Sequence, residues 1–107
     1  MELKQYEIYR INPEPTIGGE IKKTRPCVIV SPDEMNFYLK TILVAPVISA
    51  MNNIPFRLKI KLNGKLNMVA LDQIRAKDRS RIYNYIDKLD NESIKELKNT
   101  INEMLVK

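Results

Sequence analysis

The chain has 107 residues, 18 basic and 13 acidic side chains, no histidine and one cysteine, for a formal charge of +5. That length fits a single domain over residues 1–107 with a core of its own. Zinc fingers, zinc ribbons, an internal disulfide and every imidazole-based triad are excluded, because the only thiol is Cys27 and there is no imidazole.

Glu7-Ile8-Tyr9-Arg10-Ile11 reads as a short strand that stops before Pro13 and Pro15. Asn12 to Thr24 holds two prolines and Gly18-Gly19 and reads as a loop. The continuous run Arg25 to Ser31 predicts a central strand buried on both faces, with Pro26 at its start where a missing N–H is tolerated. Ser31-Pro32-Asp33 predicts a turn, with a second bend near Asn36. Thr41 to Ile48 predicts a second buried strand, and Pro46 asks for an edge or a bulge near its end.

Phe56, Leu58, Ile60 and Leu62 alternate with Arg57, Lys59, Lys61 and Asn63, the clearest period-2 signal in the chain. Asn63-Gly64 predicts a hairpin turn, with Met68 to Ile74 returning as a strand that carries Asp72 and Gln73. Ser80 to Leu89 reads as a short helix or a turn. The C-terminal helix is capped by Asp90, has Glu92 in its first turn, and presents Ile94, Leu97, Ile101, Met104 and Leu105 on one face. The sum is a mostly β protein: a compact barrel or rolled sheet with a helix packed against it.

The charge is unevenly spread. Residues 1–40 carry six basic and six acidic side chains, residues 41–89 nine and three, and residues 90–107 three and four. The middle segment is therefore attractive to a polyanion such as RNA or DNA, the plain alternative being a soluble basic surface. No apolar run approaches the ~18 residues of a membrane span, and the first residues lack a secretory pattern. A cytoplasmic protein with a reduced Cys27 and no membrane partner is expected.

Arg25 follows a Gly-rich loop and opens a buried strand, so it needs either a carboxylate such as Asp72 or a ligand; a planar, permanently charged guanidinium suits phosphate. Ser49 ends a strand, where it serves as a hydrogen-bond donor or as an ordinary strand-end polar residue. Asp72 needs an Arg or backbone donors if buried. The run Lys77 to Arg81 reads as a solvated face, and Cys27 as core, with no basic neighbour in sequence to activate it.

Four stretches, in order over roughly residues 7–82, resemble the MazF/PemK family of bacterial toxin endoribonucleases, the mRNA interferases. Glu7-Ile8-Tyr9 is similar to the family's first strand, with Tyr6 in place of its usual Gly. Gly18, Glu20, Arg25 and Pro26 fit the signature G-x-E followed by R-P and apolar residues. Val44 to Ser49 resembles a strand ending in Thr or Ser, and Ala70 to Arg75 the segment D-Q-[IV]-[RK].

The resemblance implies an SH3-like small β-barrel of the MazF/PemK/CcdB-like toxin fold, a homodimer, an acidic antitoxin partner, and sequence-specific cleavage of single-stranded RNA with no cofactor and no metal. Arg25 and Ser49 match the family's catalytic Arg and Thr/Ser. Glu20 and Asp72 are candidates for catalysis or for structure. Thr24, Arg57, Lys59, Gln73 and Arg75 are the expected RNA contacts. The general base is left open, since Gly19 stands where some members have His, and Ala70 where they have an Arg before Asp72. Two other readings stand beside this one. The first is a DNA gyrase poison of the same fold, whose C-terminal Trp tail has no counterpart in Leu105-Val106-Lys107. The second is a plain SH3-like RNA- or peptide-binding module.

Overall fold

The computed structural model describes residues 2–12, 24–49 and 53–106. Among them run seven strands: β1 (Glu7–Ile11), β2 (Arg25–Ile29), β3 (Thr41–Ile48), β4 (Arg57–Leu62), β5 (Lys65–Ala70), β6 (Arg75–Asp78) and β7 (Ile82–Lys88). Helix α1 (Asp33–Tyr38) follows β2, and α2 (Asn91–Ile101) follows β7 and continues as a π-helical stretch, Asn102–Val106. The strands form one curled sheet in the order β4-β5-β3-β2-β1-β7, with β6 beside β3 and every pairing antiparallel. This is the mostly β architecture with a C-terminal helix that the sequence predicts.

Strand β2 is buried on both faces, as expected of its unbroken apolar run, although it ends at Ile29 rather than Ser31. Its side chains divide between two cores. Val28 joins Ile8, Ala45, Val47, Leu58, Ile60, Val69 and Leu97 inside the curl. Cys27 and Ile29 join Tyr9, Ile11, Ile42 and Val44 on the other face. Helix α2 closes the first core. Asp90 Oδ1 accepts the backbone N–H of Ser93 at 2.7 Å, the expected cap. Leu97 is buried, and Ile94, Ile101 and Met104 pack beside it. Burial of a leucine of this kind contributes about 1.5–3 kcal/mol. Leu105, expected on the same face, is 70% exposed, because the wider π winding turns it to solvent.

Several other expectations are corrected. The bend read near Asn36 is a helix, α1, with Asp33 and Glu34 in its first turn. Asn36 is buried and fully bonded: its Nδ2 donates to Leu3 O at 3.3 Å and Ser31 O at 3.0 Å, and its Oδ1 accepts from Ser31 Oγ. Pro46 is neither at an edge nor in a bulge. Strand β3 pairs with β6 from Thr41 to Val44 and with β5 at Val47 and Ile48, so the residue without an N–H falls where the strand changes partner. Of the segment Ser80–Leu89, read as a short helix or a turn, Ser80 and Arg81 lie in the 3-10 turn Arg79–Arg81, but Ile82–Lys88 is strand β7. The strand read over Met68–Ile74 stops at Ala70 and becomes the 3-10 turn Leu71–Gln73. The hairpin turn stands, with Asn63 at φ 52° and Gly64 at φ 75°. All but the ends of the loop read over Asn12–Thr24 lies outside the described residues.

Candidate functional site

Register brings distant cations to one place. Arg25 opens β2 opposite Ile11, Arg75 opens β6 opposite Val44, and Lys77 lies opposite Ile42. Alternation along a strand puts Arg75 and Lys77 on one side, as it does Arg25 and Cys27. The result is a cleft of about 290 Å³ walled by Arg25, Gln73, Arg75 and Lys77, with Ile11, Cys27, Val44 and Pro46 lining the rest.

The 3-10 turn before β6 explains how Gln73 arrives there. Three residues per turn send successive side chains about 120° apart. Leu71 enters the core, Asp72 faces β4, and Gln73 lines the cleft. Arg57 of β4 meets Asp72 with two donors, Nε to Oδ1 at 3.1 Å and Nη2 to Oδ2 at 3.2 Å. The hydrogen bonds from Arg57 hold the Asp72 carboxyl below the usual carboxylate range. Asp72 is thus paired with Arg57 and not with Arg25, and the turn is tied to β4 a second time by Leu71 N–H donating to Phe56 O at 3.2 Å.

Among the described residues, no carboxylate forms an ion pair with Arg25 or Arg75. Three cations around one small cleft, with an amide beside them, make an anion site; guanidinium groups add the planar donor fork that phosphate oxygens accept. Cys27 is not its reactive group. Burial pushes its thiol up to about 11, although the Lys77 and Arg25 charges pull the other way. A larger depression of about 500 Å³ mixes Glu2 and Asp33 with Lys4 and Arg79 and has no net preference for an anion. Among the described residues, no cluster of three acidic or thiol side chains could hold a metal ion.

The other expected site residues are spread more widely. Ser49 is exposed just past β3 and does not line the cleft. Thr24 is 6% exposed. Lys59 lies with Lys61 and Lys88 at a separate groove where β4 approaches β7. Glu20 lies outside the described residues. Lys77, expected on a solvated face, instead lines the cleft. The signal was present as Arg75-x-Lys77, two cations at strand spacing immediately after the motif.

A family model for PemK-like, MazF-like toxins of type II toxin–antitoxin systems matches residues 4–105. An endoribonuclease MazF of Staphylococcus saprophyticus is 29% identical over 105 residues, which cover 92% of this chain and 88% of that protein. Among solved structures, MazF from Deinococcus radiodurans superposes with a TM-score of 0.80 at 22% identity, over 100% of this chain and 99% of that one. An endoribonuclease from a mycobacterial species, in complex with its cognate antitoxin, gives a TM-score of 0.81 at 13% identity, over 97% and 95%. At these identities the two structures show the fold.

Proposed function

Because the chain belongs to the PemK-like, MazF-like toxin family of type II toxin–antitoxin systems, we propose that it is an endoribonuclease that cuts single-stranded RNA, mRNA foremost, at a preferred sequence. The carrying observation is the cleft that gathers Arg25, Arg75 and Lys77 with Gln73. In this reading a phosphodiester enters the cleft and the neighbouring ribose 2′-OH attacks phosphorus. The O2′–P bond forms and the P–O5′ bond breaks, giving a 2′,3′-cyclic phosphate and a 5′-OH end. The 2′-OH proton passes to a base, and the leaving 5′ oxygen takes up a proton. Negative charge grows on the phosphorane oxygens, where fixed cations act most strongly, so the chemistry requires no metal ion.

Arg25 takes the role of phosphorane stabiliser, Arg75 and Lys77 hold the strand, and Ser49, exposed past the end of β3 and outside the cleft wall, donates a hydrogen bond to the RNA beyond it. Asp72, held ionised by Arg57, is a weak base and serves to set the turn that aims Gln73. Glu20 is the remaining carboxylate candidate for the base.

The test is a long single-stranded RNA incubated with the protein in EDTA. Fragments with cyclic-phosphate and 5′-OH ends support the reading, and intact RNA refutes it. The cleft also suits an acidic antitoxin segment, so such a peptide displaces RNA; simultaneous binding at full affinity would disprove a shared site. A homodimer doubles the basic surface offered to one strand, and a monomer mass by light scattering would refute it.

A further inference from the structure

Tyr85 shares the sheet face that carries the cation cleft. It pairs with Tyr9 of β1, Tyr9 pairs with Cys27 of β2, and Cys27 pairs with Pro46 of β3. Paired residues in an antiparallel sheet point to the same side, so these four form one row across four strands, and its last two members lie in the cleft. Ordinary strand spacing sets β7 about 10 Å from β2, with Arg25 about 7 Å along β2 from Cys27.

Two bulges in β7 produce this aim. The pairing with β1 slips between Ile8 and Tyr9 and again between Arg10 and Ile11. Without the second slip, Ile82 and Tyr85 would face opposite sides. With it, Ile82 packs on the outer core beside Ile11, and Tyr85 stands on that same side. The ring is also held. Tyr9 meets it edge-on, with centroids 5.6 Å apart and planes at 80°. Tyr9 is itself buried, and its hydroxyl donates to Glu7 Oε1 at 3.1 Å. Tyr85 nonetheless remains 50% exposed.

An aromatic ring fixed along one edge, left open on the sheet surface, and continuous with a cluster of cations is the combination that binds single-stranded nucleic acid: cations track the phosphates and rings stack the bases. A second copy of this chain would bring the same cations against one another, which argues against it as the occupant. We propose that Tyr85 stacks a nucleobase of the strand whose phosphate occupies the Arg25–Arg75–Lys77 cleft. The proposal rests on the RNA-cleaving reading above. Every base has a π-face, so this contact supplies affinity and position rather than sequence choice.

The test uses short RNAs carrying 2-aminopurine at each position in turn, with a 2′-deoxy sugar at the mapped cut site to prevent cleavage. Wild-type protein quenches the probe at one position near the cut. Tyr85→Phe keeps the quenching, while Tyr85→Leu loses it and weakens RNA affinity on the order of tenfold. In cleavage assays of uncut RNA, Tyr85→Leu raises KM with little change in kcat. Absence of position-specific quenching by the wild-type protein overturns the proposal without relying on any variant. So does Tyr85→Leu that binds and quenches like wild type, or one that shifts the oligomer mass while RNA affinity is unchanged. Cut RNA with no quenching sinks this proposal alone; where no RNA is cut, the same scan on all-ribose RNA still reads stacking, and quenching there sinks the enzymatic reading instead.

Discussion

Arg57 holds both oxygens of Asp72, reaching from β4 to the turn that delivers Gln73 to the cation cleft. A carboxylate held below its ordinary range stabilises the fold above the unfolded value of about 3.9, and that contribution is lost as pH falls through the lowered folded value. Wild type is therefore more stable than Asp72→Asn at pH 6, and the gap closes as acid is added below about pH 4. Urea unfolding of both proteins from pH 2 to 6 measures it. A gap that is constant with pH would mean that the pair contributes through shape and not charge.

Arg25→Ala is expected to fold normally, since the side chain is exposed, and to lose RNA cleavage by about 10²–10³. Ser49→Ala loses less, on the order of tenfold, because a hydroxyl donates a weaker hydrogen bond than a guanidinium. Single-turnover cleavage of one defined RNA compares the two. Near wild-type cutting by Arg25→Ala would remove the cleft from the mechanism.

RNA affinity falls with salt. Three phosphate contacts by Arg25, Arg75 and Lys77 give a slope of about −2 in log K against log salt, using ~0.7 per contact for a single strand. Arg75→Ala reduces the magnitude of that slope by about 0.7. Titrations at several salt concentrations decide the matter, and an unchanged slope in the variant would place Arg75 off the strand.

Tyr6 sits at φ 74°, in the left-handed region, where the related family usually has Gly. Its backbone is fixed from both sides: its N–H donates to Ile29 O at 2.7 Å, and its O accepts from Leu89 N–H at 3.0 Å. Its ring packs on the inner core, with Lys98 Nζ 5.9 Å from the centroid. Tyr6→Ala and Tyr6→Gly both lose the ring, but only glycine relieves the backbone. Tyr6→Gly should thus be the more stable of the two by about 1 kcal/mol, the reverse of the usual order. Thermal unfolding of the pair tests this, and an alanine variant equal to or better than glycine would show that the strain is absent.

Strands β1 and β3 were legible to the residue, because short apolar runs flanked by prolines or turn residues leave little else to form. Strand β7 was not. Its bulges put Ile82, Tyr85, Ile86 and Leu89 at helical spacing in the sequence, although the chain there is extended. Arg25, Gln73 and Arg75 were legible as candidates through the motifs, but their convergence on one cleft depends on β3 changing partners, which no local pattern encodes. Lys77 was hidden because it belongs to β6, whereas Arg79 and Arg81 of the same charged run lie in the 3-10 turn that follows. The partnership of Asp72 with Arg57 rests on the β4–β5 register and on a turn that the alternating pattern reads as strand.

Both ends of the described sheet present unpaired backbone, β4 at one and β7 at the other. Such ends recruit foreign strands unless something spoils the template. Strand β4 carries Arg57, Lys59 and Lys61 along its length, whereas the opposite rim holds tyrosines. The two bulges of β7 break the regular spacing of that rim and make it a poorer template for a foreign strand. The kinks that set Tyr85 on the face of the cleft therefore also work against edge-to-edge pairing with another chain.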